Sequence, residues 1–448
     1  MSSLSFLRRM SLSKVKKHSS KVSVTSIPSD VAIPPLDDVT VQETASEPLF
    51  APTTQRVLLL HAARQPYELV HDYPVPEVQG DDEVLVRTQA IGLNPIDWKA
   101  PDFNFAIPTL PYISGRELSG TVIHPPASPS RLSPRDRVLV ISTDYRDLRK
   151  AAYQEYVVAF HYNTVRLPPS ISPESGSTLG VAFVAAALAL GVCMGVDFSP
   201  FYAGPDLYAL LRDIPSGSIA PDIREECLHS IPAHERAQTG DWIAVWGGSS
   251  TSANLTIQLA KLAGLKVVSV VDKAKHGVRL TGHRAIAADL LVDSYDPDRA
   301  VDVMRGNLGG KLRFGVDTRG RESAGALLKA LGTGGLVKGK GEGLSPPPSP
   351  PSTPREETRL GAHLIGLTGL PKGSAPEGVL FHTVPIKLFH EVPEVGEALC
   401  AWLERLLEVE AVVPPEIIDV EQGLESVNRG LDRMRKGEIS GGKLVVRI

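Results

Sequence analysis

The hydrophobic pattern changes period several times along the chain, and each change predicts an element. "WIAVW", Trp242 to Trp246, is an unbroken apolar run suited to a strand buried on both faces, and it stops at Gly247-Gly248. Ala253, Leu255, Ile257, Leu259, Ala260, Leu262 and Ala263 then form an apolar stripe broken by Asn254, Thr256, Gln258 and Lys261, which predicts an amphipathic helix. A second apolar run, "KVVSVVD" from Lys266 to Asp272, completes a strand–turn–helix–strand unit. Farther on, "ADLLVDS", "FGVDTRG" and "GGLVKG" read as short strands alternating with helical segments, the rhythm of a doubly wound parallel sheet. Upstream, "RVLLLHA", "DEVLVRTQAIGLNPIDWK", "SGTVIHPP", "RDRVLVIS" and "YQEYVVA" carry the strand and turn signals of a compact β-rich domain ending near Pro169.

Between these two regions, "VAFVAAALALGVCMGV" from Val181 to Val196 is too short for a membrane span and is interrupted by glycine, so it reads as a buried helix. A long irregular region is expected from Asp197 to Thr239. From Gly339 to Arg359 the chain reads "GKGEGLSPPPSPPSTPREETR", which proline excludes from helix and central strand. After it "AHLIGLTG" resumes the sheet, "VPEVGEALCAWLERLLE" reads as an amphipathic helix, and "GLESVNRGLDRMRKG" is a last helix before the closing strand "GKLVVRI".

Composition narrows the class. The 448 residues have room for two or three domains, and 42% hydrophobic and 22% charged residues with net charge -4 give no call for nucleic acid as a partner. Cys193, Cys227 and Cys400 are too few and too scattered for a disulfide framework or a CxxC zinc site, which suits a reducing compartment. The first 29 residues are basic, serine-rich and free of acid; they read equally as a mitochondrial presequence and as a basic tail on a cytoplasmic protein. Asp30 to Pro52 is acidic and proline-bearing, as in a linker.

The candidate chemistry starts at the glycine turn. Gly247 and Gly248 allow close backbone approach, Ser249, Ser250, Thr251 and Ser252 add small hydrogen-bonding groups, and the helix that follows presents unpaired N–H groups. That is an anion site, most simply for the pyrophosphate of a dinucleotide. "GGSSTS" departs from GxGxxG, and the same residues can make an ordinary strand-to-helix turn, so its neighbours along the chain have to decide.

Those neighbours resemble the medium-chain dehydrogenase/reductase superfamily over roughly Gln55 to Ile448. "GLNPIDWK" is similar to the NPxDWK segment of fungal zinc-independent members, including trans-acting enoyl reductases of polyketide pathways. "PYISGRELSGTVI" resembles the GxExxG segment, "RDRVLV" the GDRV segment and "YQEYVV" the AxEYVV strand. "VWGGSSTSANLTIQLAKLAGLKVVSVVD" resembles the cofactor segment of the same branch, and "FGVDTRG" and "GEISGGKLVVRI" complete the ordered set. The resemblance implies an α/β fold: a GroES-like β-rich catalytic domain plus a Rossmann doubly wound parallel-sheet domain. The expected division is an N-terminal extension over 1–52, the first part of the catalytic domain over 53–190, the Rossmann domain over 191–371 with the Pro-rich insertion 339–359, and a return to the catalytic domain over 372–448.

It also implies residue roles. Where zinc members have Cys and His, this chain has Asn94 and Arg116, so no metal is expected there. Gly247, Gly248, Ser249, Ser250, Thr251 and Ser252 are expected at the cofactor phosphates, with Asp317 at the end of a strand lining the nicotinamide. Asp272 falls one position beyond the acid that selects NAD, while Lys273, Lys275 and His276 can neutralise a 2′-phosphate; NADP(H) is the expected cofactor. Lys99 is expected to hold a cofactor phosphate or the substrate oxygen that gathers charge, or else to cap a turn, with Asn94 donating a neutral hydrogen bond nearby. Asp97 and Glu117 are expected to pair with Arg116 or other cations. Tyr112, Tyr153 and Tyr156 offer no evident proton donor, which leaves water. The expected reaction is NADPH-dependent hydride transfer to the activated C=C bond of an enone or of a small-molecule or carrier-bound enoyl thioester. The alternatives are a quinone oxidoreductase and a non-catalytic nucleotide-binding regulator or scaffold. Neither substrate nor oligomeric state, monomer or homodimer, follows from these residues.

Overall fold

The computed structural model describes residues 50–332 and 360–448. The N-terminal extension, the Pro-rich insertion 339–359 and the strand expected at "GGLVKG" lie wholly or almost wholly outside the described residues.

The first seven strands are β1 (Thr54–Leu59), β2 (Glu68–Pro74), β3 (Glu83–Gly92), β4 (Glu117–His124), β5 (Arg137–Ile141), β6 (Tyr156–Phe160) and β7 (Thr164–Arg166). Six more build a second sheet: β8 (Trp242–Trp246), β9 (Lys266–Val271), β10 (Leu290–Asp293), β11 (Leu312–Asp317), β12 (Ala362–Gly366) and β13 (Val379–His382). Two close the chain, β14 (Ile417–Gln422) and β15 (Lys443–Arg447).

β8 to β13 form a parallel sheet of order β10-β9-β8-β11-β12-β13, in which the chain runs outward from β8 to one edge and then restarts beside β8 at β11. That reversal opens a crevice at the carboxyl ends of β8 and β11, the place where open α/β sheets bind ligands. β3, β4, β5, β7 and β15 pair antiparallel in the other sheet, with β14 added parallel at its edge and β6 on β3, while β1 and β2 form a separate hairpin.

The apolar segment expected as a buried helix is a helix at Gly180–Leu188 that loosens into a π-helical turn at Ala189–Cys193. By length and composition the helical stretch Pro173–Cys193 can cross a membrane, but 94% of its apolar window lies inside the protein. It packs against helix Thr251–Leu262, joining Leu139, Ile141 and Val165 of the antiparallel sheet to Ile243 and Val245 of the parallel one in a single core.

Two expectations need correction. The segment 197–239 holds helices Leu207–Asp213 and Pro221–His229: Asp206 caps the first by accepting from the Ala209 N–H at 3.2 Å, and Pro221 starts the second. The return to the catalytic sheet does not begin at residue 372, because β13 still pairs with β12 and helix Pro393–Glu408 buries Leu399, Trp402 and Leu403 in the shared core. The chain re-enters the antiparallel sheet only at β14.

Candidate active site

The glycine turn lies at the carboxyl end of β8. Gly247 has φ +82°, a conformation that favours glycine, and its N–H and that of Gly248 both donate to the Val270 carbonyl of β9, at 3.0 and 3.1 Å. A Cβ on Gly248 would fall 2.0 Å from the Ser269 hydroxyl, so only glycine lets the turn fold down against β9. Ser250 caps helix Thr251–Leu262, accepting from the Ala253 N–H at 3.1 Å and donating to Thr318 at 3.0 Å. Ser249, Thr251 and Ser252 stand half-buried around the cap, where the first N–H groups of the helix have no intrahelical partner. The Ser269 hydroxyl is buried without a hydrogen-bond partner beside the turn. Small residues, helix-end donors and this orphaned hydroxyl fit a bound phosphate group.

Asp317 ends β11 fully buried, its Oδ1 accepting from the Arg319 and Gly320 N–H groups at 3.0 and 2.7 Å. Burial, partly offset by those bonds, raises its pKa. Its carboxylate shapes the turn that runs beside Gly247. Asp272 is the N-cap of helix Lys273–Gly282, its Oδ1 accepting from the Lys275 N–H at 3.1 Å. Lys273 and Lys275 are exposed in the first turn of that helix. His276 does not join them: it is buried, its Nε2 lies 3.1 Å from the Ser440 hydroxyl, and burial holds its pKa below the ordinary range.

The catalytic-domain residues meet through strand register. β15 runs antiparallel to β3 with Val445 opposite Gly92, so Lys443 comes across from Asn94 just past the end of β3. β4 on the other side pairs Leu118 with Ile91 and brings Glu117 to the same place. The Lys443 ammonium donates to Glu117 Oε1 and to Asn94 Oδ1, the latter at 2.7 Å. The Asn94 amide donates to Glu117 Oε1 at 3.0 Å and to the Gly92 carbonyl at 3.2 Å, and Glu117 Oε2 accepts from the Val181 N–H at 2.9 Å. Lys443, Asn94 and Glu117 are all buried. Asn94 therefore has no N–H left for a substrate, contrary to the role expected of it. The partner of Glu117 is Lys443 rather than Arg116.

Beside this triad lies Asp97. Its Oδ2 accepts from the Asn94 N–H at 2.8 Å, while Oδ1 has no partner. Burial is the main cause that lifts its pKa from an ordinary 3.8 to about 6, against the opposing pull of Arg116 and Lys443. The Tyr153 hydroxyl is its electrostatic neighbour, is also buried without a hydrogen-bond partner, and has a pKa raised by burial and by Asp97. Tyr67 donates to the Asp97 carbonyl at 2.9 Å, and its ring meets that of Tyr153 edge-on at 5.4 Å. Arg116 lies over the Tyr145 ring at 5.4 Å, with one guanidinium nitrogen unpartnered. Lys99 sits inside helix Pro95–Phe103, half-buried, so it does not cap a turn. Its ammonium lies 5.6 Å from the Trp98 ring and makes no hydrogen bond or ion pair among the described residues.

Lys443 and the Asp97–Tyr153 pair escaped the sequence reading. "GGKLVVRI" marks a strand, but nothing local to it says what its lysine meets. An open cavity of about 810 Å³, lined by Lys261, His283, Arg284 and Glu410 among others, shares no residue with the glycine turn or the Asn94 cluster.

Comparison with known proteins agrees with this geometry. Residues 80–169 match the family described as alcohol dehydrogenase GroES-like domain. A trans-enoyl reductase of Gibberella fujikuroi is 26% identical over 385 residues, covering 83% of this chain and 92% of that protein. The matched domain and this relative support the medium-chain dehydrogenase/reductase superfamily as the family of the chain. Solved structures share the superfamily fold. A quinone oxidoreductase of Pseudomonas syringae superposes with TM-score 0.61 at 16% identity, over 88% of this chain and all of that one. A mycobacterial protein complexed with NADPH gives 0.60 at 17%, over 88% of this chain and all of its own. Asn94 and Arg116 are the residues expected at the positions where zinc members carry ligands. The donor set present does not fit a zinc ion: a lysine ammonium already occupies Glu117 and Asn94, and Arg116 adds positive charge.

Proposed function

We propose that the protein is an NADPH-dependent reductase of activated C=C bonds, acting without zinc on a small-molecule or carrier-bound enoyl thioester or enone. The observation that carries the zinc-free reading is the Lys443 ammonium held between Glu117 and Asn94. Similarity along most of the chain to a trans-enoyl reductase supports the substrate class. A bound nicotinamide cofactor supplies the hydride. Gly247, Gly248 and the helix that starts at Thr251 hold its pyrophosphate, and Lys273 and Lys275, exposed in the first turn of the helix after β9, select the 2′-phosphate of NADPH.

The substrate needs no Lewis acid, because conjugation to a carbonyl already polarises the double bond. As the β-carbon accepts hydride, charge gathers on the carbonyl oxygen, and a cation close to it lowers the barrier. Lys99 is a cation with no competing anion among the described residues, and it fills this role. The Lys443–Glu117–Asn94 triad fixes the junction of β3, β4 and β15. Water protonates the α-carbon.

The test is steady-state oxidation of NADPH and NADH by the purified protein with enoyl thioesters, enones and quinones. The expected result is turnover of enoyl thioesters or enones with NADPH preferred. Turnover of quinones alone makes it a quinone oxidoreductase, and cofactor binding without turnover on any acceptor makes it a nucleotide-binding regulator.

A further inference from the structure

A second cluster of ionisable side chains lies in the nucleotide-binding domain and has no part in the reading above. Glu226 of helix Pro221–His229, His382 at the end of β13, His363 of β12 and Glu235 stand in a row. Glu226 Oε1 lies 2.8 Å from His382 Nδ1, His382 Nε2 lies 3.0 Å from His363 Nδ1, and His363 Nε2 lies 3.1 Å from Glu235 Oε2. Three hydrogen bonds need three protons, and two neutral imidazoles carry two. With His363 donating to Glu235 and His382 donating to His363, His382 Nδ1 turns a lone pair toward a carboxylate oxygen. Two acceptors facing each other at this distance require a cation, either a proton or a metal ion.

A third donor completes a metal-binding set. Ligand atoms of Cys193, Glu226 and His382 all lie within 4.8 Å of one another. Cys193 is fully buried and closes the π-helical turn Ala189–Cys193, a helix irregularity that recurs at functional sites. We propose that Cys193, Glu226 and His382 form a site for one Zn²⁺ ion, oriented by the hydrogen-bonded chain through His363 to Glu235.

Thiolate, imidazole and carboxylate together are a zinc donor set, and a ligating histidine whose other ring nitrogen hydrogen-bonds onward to a carboxylate has the usual outer support. Tetrahedral zinc spaces such donors roughly 3.3–3.8 Å apart, so Cys193 draws in by up to about an ångström while Glu226 and His382, now 2.8 Å apart, separate by about half an ångström to admit the ion. Glu226 is the partly exposed member and leaves the fourth position to water. Binding displaces two protons, one from the Cys193 thiol and one from between His382 and Glu226, and no electrons move. The site is independent of the reductase reading.

The experiment titrates full-length, metal-stripped protein with Co²⁺ and then displaces it with Zn²⁺. Expected are a thiolate-to-cobalt charge-transfer band saturating at one ion per chain, its loss in Cys193→Ser, and its persistence in Cys227→Ser. Glu226→Gln keeps a hydrogen bond to His382, and it should lower Zn²⁺ affinity at least about tenfold with the metal-free unfolding midpoint unchanged. Absence of the thiolate band in the wild-type protein overturns the proposal, whether or not Cys193→Ser folds. Zn²⁺ binding unaltered by both Cys193→Ser and Glu226→Gln overturns it as well.

Discussion

Lys443 and Asn94 are separated by 349 positions in sequence and joined by a 2.7 Å hydrogen bond in a buried site that also holds the Glu117 carboxylate. A buried ion pair contributes little net stability while both partners are present, but removing one leaves an uncompensated charge. Lys443→Met should therefore destabilise the protein by about 3–5 kcal/mol, and adding Glu117→Gln should recover much of that loss. Urea unfolding of the single and double variants measures both. Equal loss in the two would mean that packing of the lysine stem, and not its charge, holds the site.

Lys99 separates chemistry from binding. If its ammonium steadies the charge that develops on the substrate oxygen, Lys99→Ala lowers kcat by about a hundredfold and leaves the Kd for NADPH nearly unchanged. A raised Kd with kcat intact would reassign Lys99 to a cofactor phosphate.

Lys273 and Lys275 bear on cofactor choice. Replacing both with Ala should weaken NADPH and spare NADH, because only NADPH loses charge-assisted hydrogen bonds of roughly 1.5–3 kcal/mol each. Asp272→Ser is the control: serine is also a good N-cap, so the helix persists while a charge that repels the phosphate is removed. An unchanged NADPH-to-NADH ratio in the double lysine variant would remove the basis for NADP.

Asp97 should leave a signature in the pH dependence of stability. Its folded pKa, about 6, lies above the ordinary 3.8, so between these values the folded state binds the proton that the unfolded state has released. Stability from this group is fully present below about pH 4 and is lost as pH rises through about 6, roughly 3 kcal/mol in all. Asp97→Asn removes this dependence. Unfolding free energies from pH 4 to 7 should show the wild type losing stability relative to the variant, and parallel curves would mean that Asp97 stays ionised throughout.

Chelator treatment tests the catalytic site and the Cys193 site separately. Activity should survive chelation, because the Lys443 ammonium already occupies Glu117 and Asn94. Activity lost in chelator and restored by Zn²⁺ in a Cys193→Ser background would place a metal at Glu117 after all.

Sequence alone determined the elements of the unit that carries the glycine turn, and their order. The apolar run 242–246, the glycine turn and the amphipathic stripe after it lie within about two dozen residues, where strand period, helix period and glycine conformation are local properties. The order of motifs implied both sheets for the same reason. The tertiary structure alone decided which remote side chains share a site. Periodicity reports that a face is buried and is silent about what buries it. Lys443 reaches Asn94 and Glu117 only through the register of β15 on β3 and of β3 on β4, and β13 joins the parallel sheet although its sequence reads equally well as part of the C-terminal return. A buried helix, a short surface helix and an outer strand bring Cys193, Glu226 and His382 together from 189 positions of chain. The raised pKa of Asp97 has the same origin, since desolvation depends on everything packed around the carboxylate and nothing in "NPIDWK" contains it.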